Sequence, residues 1–137
     1  MSPGEAIFRA VTRALMARMR QPPPSMAPPE GFEALCAEAL RRQGWQARTT
    51  RASGDQGADV VADLEGRRVV LQVKLWTRPA GTKAVQEAYA AMAVYRATHA
   101  AVVCPAGYTP GAKQAARATG VHLLHHTDLA RARSLFR

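Results

Sequence analysis

Residues 59–75, DVVADLEGRRVVLQVKL, constrain the fold more than any other stretch. Two runs rich in Val and Leu flank the dipeptide Glu65-Gly66, and such runs around a Gly-containing turn read as a β-hairpin. With Glu65-Gly66 as a two-residue turn, Leu64 faces Arg67, Asp63 faces Arg68 and Asp59 faces Gln72. Successive side chains alternate between faces, and directly paired residues share one. Asp59, Gln72 and Lys74 therefore project to one side, while Val69, Leu71 and Val73 turn to the other. A slip of one residue would scatter the three polar groups, so the whole arrangement depends on that turn. Asp63 and Arg68 are expected to form a cross-strand surface ion pair of little energetic weight.

The rest of the chain supplies layers for this hairpin. Phe32, Leu35, Cys36, Ala39 and Leu40 make one helical stripe that Gly44 closes, and Trp45 to Thr50 reads as a short strand. Residues 51–58, RASGDQGA, form a loop in which Asp55 and Gly57 are turn formers. After a loop over 76–81, Thr82 caps a helix running to about Arg96, with Val85, Ala88, Tyr89 and Met92 on its core side. Ala100–Cys104 is wholly apolar, as a strand covered on both faces must be. A helix over Thr109–Thr119 closed by Gly120, a strand over Val121–Leu124 and a short helix capped by Thr127 or Asp128 complete the order. The result is an α/β domain whose mixed central sheet is flanked by helices. Ahead of it, residues 1–20 carry a basic amphipathic helix over Glu5–Arg20, and residues 21–30 are a proline-rich linker. The domain proper spans 31–137.

Nineteen Lys and Arg stand against ten Asp and Glu, a formal charge of +9. Such an excess favours a polyanionic partner, because a basic surface attracts phosphates and releases their counterions. Arg51, Arg78, Lys83 and Lys113 are the chosen phosphate contacts, with Arg41, Arg42 and Arg117 as further candidates. No apolar run approaches the roughly 20 residues that a membrane helix requires. Cys36 and Cys104 lie in apolar runs far apart in sequence and read as buried free thiols, which points to a reducing, cytoplasmic setting. His122, His125 and His126 lack the ligand spacing of a zinc site and read as strand-end and loop residues. Trp76, just beyond Lys74, reads as covering the edge of the site or stacking on a base, with packing the preferred reading.

An acid, an amide and a lysine gathered on one face suit phosphodiester hydrolysis. That chemistry needs a divalent cation to polarise the phosphate and activate water, and hard cations take oxygen ligands. Asp59 offers a carboxylate, Gln72 an amide oxygen and Val73 a backbone carbonyl. Lys74 is placed to orient water or to offset charge on the phosphate. Glu33 supplies a second carboxylate if the first helix packs beside the hairpin, and Asp55 is a weaker candidate.

The segment GFEALCAEALRRQGWQARTTRASGDQGADVVADLEGRRVVLQVKLW resembles the catalytic domain of Mrr-type restriction endonucleases, members of the PD-(D/E)xK nuclease superfamily. The resemblance runs from about Gly31 to Leu129 and includes AVQEAYAAMAVY, AAVVCP and GVHLL with the following Asp128-Leu129. It implies a restriction endonuclease-like αβββαβ core, matching the order read from the residues. In that family a helix Glu, the Asp of a G-D-x-G-x-D motif and a Q-x-K pair form the site; here they fall on Glu33, Asp59, Gln72 and Lys74. The implied activity is Mg²⁺- or Mn²⁺-dependent cleavage of DNA, in restriction or other DNA processing, with no small-molecule cofactor. Gln72 departs from the superfamily's commoner Asp or Glu but is usual in the Mrr-like branch. The implied partners are DNA and a second copy of the chain as a homodimer. A non-catalytic DNA-binding module of the same fold, within a larger defence or repair complex, is the alternative.

Overall fold

The computed structural model describes residues 29–50 and 58–137, together with Gly4 and Ile7. The expected N-terminal helix, the linker up to residue 28 and most of the 51–58 loop, including Arg51, Asp55 and Gly57, lie outside the described residues.

The turn at the centre of the hairpin is as the dipeptide dictates. Glu65 and Gly66 both take positive φ, 49° and 81°, the pattern of a type I′ turn that matches strand twist. It joins β2 (Val60–Leu64) to β3 (Arg67–Val73), and Leu64 pairs with Arg67, Asp63 with Arg68 and Val60 with Leu71. Asp63 and Arg68 meet at 2.7 Å, both side chains 39% exposed. β1 (Gln46–Thr49) pairs antiparallel with β2 on the outer side. β4 (His99–Val103) and β5 (His122–Leu124) continue the sheet beyond β3 in parallel, giving the spatial order β1-β2-β3-β4-β5.

Period-2 alternation divides the core between the two faces. Val60, Ala62, Val69, Leu71 and Val73 meet Phe32, Cys36 and Leu40 of α1 (Pro29–Arg41). Val61, Val70, Ala100 and Val102 meet α2 (Thr82–Tyr95) and α3 (Pro110–Thr119). Helices on both faces, α1 on one and the crossover helices α2 and α3 on the other, explain why β4 is apolar and buried from Ala100 onward. A 3₁₀ helix (His126–Arg131) and α4 (Ala132–Leu135) return the chain beneath the α1 face.

α1 begins at Pro29, since proline fits a first helical turn, where its missing N–H has no partner to lose. Three local expectations are corrected. Thr82 does not cap α2; the cap is Gly81, which makes no side-chain bond, and Thr82 is the first helical residue. Its Oγ1 approaches Gly111 of α3 so closely that a Cβ there would lie 2.8 Å away, so the two helix starts abut through a glycine. Tyr89 is 52% exposed rather than core. The stripe that α2 buries is Ala84, Val85, Ala88 and Ala91, whose small side chains bring the helix close and leave Tyr89 on the flank. The cap of the 3₁₀ helix is His125, whose Nδ1 accepts from Thr127 N–H while Asp128 accepts from His125 N–H.

The N-terminal ends of the parallel strands converge on one aromatic group. Phe136 is fully buried, edge-on to Trp45 and His122, with ring centroids at 6.1 and 5.1 Å. Burial, and then the neighbouring His99, hold the His122 imidazole below its ordinary proton affinity. The folded state therefore binds a proton there less readily than the unfolded chain. This histidine's contribution is fully present above the ordinary histidine pKa of about 6.5 and is lost as pH falls through the lowered folded value. His122→Gln is expected to reduce the fall in melting temperature between pH 7 and pH 5. Identical slopes for the variant and the parent would refute that assignment.

Candidate functional site

At the C-terminal end of the parallel strands the chemistry-bearing residues gather. Asp59 stands just before β2, where its N–H donates to Leu71 O at 2.8 Å. Its Oδ2 accepts the Val73 N–H at 2.7 Å, so the carboxylate is tied to the end of β3. Burial raises its proton affinity; the Val73 hydrogen bond and the Lys74 ammonium oppose that rise, and Glu87 adds to it. Gln72 shares the α2 face with Val70 and its partner Val102, and at 5% exposure it is one of two buried polar side chains among the described residues. An amide in that apolar row is costly unless its polar atoms are used.

Lys74 leaves β3 on the same face. Its Nζ lies 3.4 Å from Glu87 Oε1 of α2 and 5.1 Å from the centre of the Trp76 ring. Arg78 lies over the same ring, its guanidinium carbon also 5.1 Å from the centre. Trp76 thus holds two cations at the mouth of the site, a fuller role than edge packing. Glu33 lies on α1, across the sheet from α2. The Cys36 thiol is pushed far up by burial and then by the negative charges of Glu33 and Asp59. Asp59 is therefore coupled to α1 on one side and to the Lys74–Glu87 pair on the other.

Glu87 was absent from the sequence-derived site. Its helical position, three residues after Ala84 and four before Ala91, marks it only as the edge of a buried stripe. Which edge meets Lys74 depends on how α2 settles on β3.

The cations are placed by the same topology. Lys83 and Lys113 are exposed in the opening turns of α2 and α3, neither of which has an acid in its first turn. The Ala80–Tyr108 bridge and the Thr82–Gly111 approach set those two helix starts side by side, beyond the ends of β3 and β4. Helix N-termini carry partial positive charge, so these lysines reinforce a field that favours anions. Arg78 is exposed on the loop between β3 and α2, and Arg51 lies outside the described residues. The Tyr108 hydroxyl accepts from Cys104 N–H at 2.9 Å and donates to Val102 O at 2.7 Å, pinning the loop after β4. Among the described residues no group of three or more His, Cys, Asp or Glu is arranged to hold a metal, and the histidines form no such site. No helix among them is long and apolar enough to cross a membrane.

A five-stranded mixed sheet with an antiparallel hairpin leading into parallel crossovers is a restriction endonuclease-like fold. The family model for the catalytic domain of Mrr, described as restriction endonuclease, matches residues 25–132, and the chain belongs to that family. It is accordingly a restriction-endonuclease-like nuclease domain. A crystal structure described as a protein of unknown function, AF1548, shares the fold with a TM-score of 0.60 at 20% identity, over 74% of this chain. The match spans 65% of that protein's chain. No curated protein matches.

Proposed function

We propose that the domain is an endonuclease that hydrolyses DNA phosphodiester bonds with the help of a divalent cation. The observation that carries this reading is the pairing of a fixed carboxylate with a held ammonium. Asp59 is tied to Val73 N–H, and Lys74 stands on the same strand end, beside two lysine-bearing helix N-termini. The donor set suits a hard ion such as Mg²⁺ or Mn²⁺: the Asp59 carboxylate, the Gln72 amide oxygen, the Val73 carbonyl and, from α1, Glu33. Burial of the Asp59 carboxylate, which the Val73 N–H and the Lys74 ammonium offset only in part, fits the same group, since a cation would favour the ionised form. The ion, when bound, would polarise the scissile phosphate and acidify its water.

The chain's own residues do the rest. Asp59 fixes position through its hydrogen bond to β3. Lys74 orients the attacking water and offsets charge that grows on the phosphate. Arg78, Lys83 and Lys113 hold the DNA backbone, with Arg51 as a further contact. Such contacts confer affinity without reading sequence. The domain starting at residue 31, preceded by a basic helix and a linker, is read as the catalytic unit of a restriction or DNA-processing system acting on DNA as a homodimer in the cytoplasm.

Nicking of supercoiled plasmid in Mg²⁺ or Mn²⁺ tests this. The full chain is expected to nick, to stop on addition of a chelator, and to lose about 10²-fold or more of its rate in Lys74→Ala. Tight binding with no cleavage of unmodified, methylated, single-stranded or branched DNA would instead assign the fold to a non-catalytic binding module.

A further inference from the structure

We propose that Glu87 is a positioning residue that holds Lys74 off Asp59 and thereby leaves the Asp59 charge available to a divalent cation. The inference rests on the nuclease reading above and assigns a role to a residue outside the strand motif.

The argument begins with charge. Among the described residues, the strand end brings together the Asp59 carboxylate, the Lys74 ammonium and the neutral Gln72 amide. Left to themselves, the carboxylate and the ammonium would neutralise each other, and a cation would have to displace the lysine. Glu87 changes that balance. Its Oε1 lies 3.4 Å from Lys74 Nζ, with the two side chains only 24% and 16% exposed. Lys74 is held from a second direction by the Trp76 ring, 5.1 Å from its Nζ. The Asp59 Oδ2, meanwhile, is engaged by Val73 N–H at 2.7 Å. The three charged groups sum to one negative charge, and Glu87 takes a share of the Lys74 charge that would otherwise fall on Asp59.

The position of Glu87 argues against a purely structural role. It stands off the stripe that α2 buries through Ala84, Val85, Ala88 and Ala91, so helix packing does not require it. A largely buried ion pair is a poor source of net stability, because desolvation offsets much of the attraction. The pair does restrain a long, flexible lysine to one place at the site, which a stability argument does not explain.

The test measures Mn²⁺ binding directly, by the loss of the free-ion electron paramagnetic resonance signal, alongside plasmid nicking. Glu87→Gln keeps the shape of the side chain and removes its charge. It is expected to weaken Mn²⁺ binding about tenfold or more, because the released Lys74 ammonium then competes with the cation for Asp59, with its melting temperature close to that of the parent. In a Lys74→Met background the same substitution is expected to have little further effect, because the lysine through which Glu87 acts is gone. Glu87→Asp is expected to recover part of the affinity.

Parent-like Mn²⁺ affinity in Glu87→Gln, or an equal loss in the Lys74→Met background, would overturn the inference. The nuclease reading would survive either result, provided the parent binds Mn²⁺ and nicks DNA. A parent that does neither would sink both.

Discussion

Asp59→Asn is expected to lower cleavage by a factor on the order of 10³ and, at neutral pH, to melt at a higher temperature than the parent. The two effects share one cause. Asp59 is partly buried, and burial is the largest influence on its carboxyl, raising its proton affinity above the ordinary value of 3.8 despite the Val73 hydrogen bond and the Lys74 ammonium. The folded protein thus holds that proton more tightly than the unfolded chain does. Stability from this group is full below the ordinary carboxyl pKa, declines as pH rises through the window up to the raised folded value, and stays reduced above it. Asparagine removes the charge that incurs the penalty, and its side-chain oxygen can still accept from Val73 N–H. On the proposed reading, the same substitution removes the carboxylate that would anchor the cation. Comparing melting temperatures at pH 7 and pH 4 beside nicking rates checks both halves: the stability gain should shrink at pH 4. Cleavage within tenfold of the parent would remove Asp59 from the chemistry. An Asn variant less stable than the parent at pH 7 would show that the carboxylate is there for structure.

Local rules in the sequence reach far into this fold and stop at identifiable points. The hairpin register was legible because Glu65-Gly66 admits a tight turn and because a slip would put Val69, Leu71 and Val73 on the wrong face. The same alternation placed Gln72 and Lys74 together. The apolar run ending at Cys104 announced a strand covered on both sides, and Gly44 and Gly120, with φ of 95° and 79°, closed the helices before them. Tyr89 escaped because helical spacing alone cannot say that an alanine stripe, rather than the larger residues, will face the sheet. Glu87 escaped for a related reason: it meets Lys74 only after α2 docks on β3. His125 as a cap was hidden because Ser, Thr, Asp and Asn are the usual choices, and an imidazole nitrogen does the same work here. The family pattern contributed Glu33. The influence that it shares with Asp59 on Cys36 comes from the packing of α1, which no local pattern encodes.

Phe136→Ala is expected to destabilise the domain by about 3–5 kcal/mol while leaving cleavage by the folded protein within a few-fold of the parent. Phe136 is fully buried, packs edge-on against Trp45 and His122, and stands near His99 at 5.8 Å. Its backbone carbonyl accepts from Arg67 Nη1 at 2.7 Å, which locks the chain beneath the start of β3. Truncation to alanine removes an aromatic ring that joins three strands, and the surrounding rings cannot collapse into the space without losing their own edge contacts. For a domain of this size the cost corresponds to a fall of roughly 10–20 °C in melting temperature. Chemistry should be spared because of topology. Arg67, His99 and His122 stand at the N-terminal ends of β3, β4 and β5, whereas Asp59, Lys74 and the starts of α2 and α3 lie at the opposite end. Thermal melts, with nicking assayed well below the lowered transition, separate the two ends. A shift under about 3 °C would mean that the aromatic group is not the keystone of the α1-face core. A folded variant without activity would mean that the two ends of the sheet are coupled, as a rigid five-stranded sheet carrying separate functions at its ends would not be.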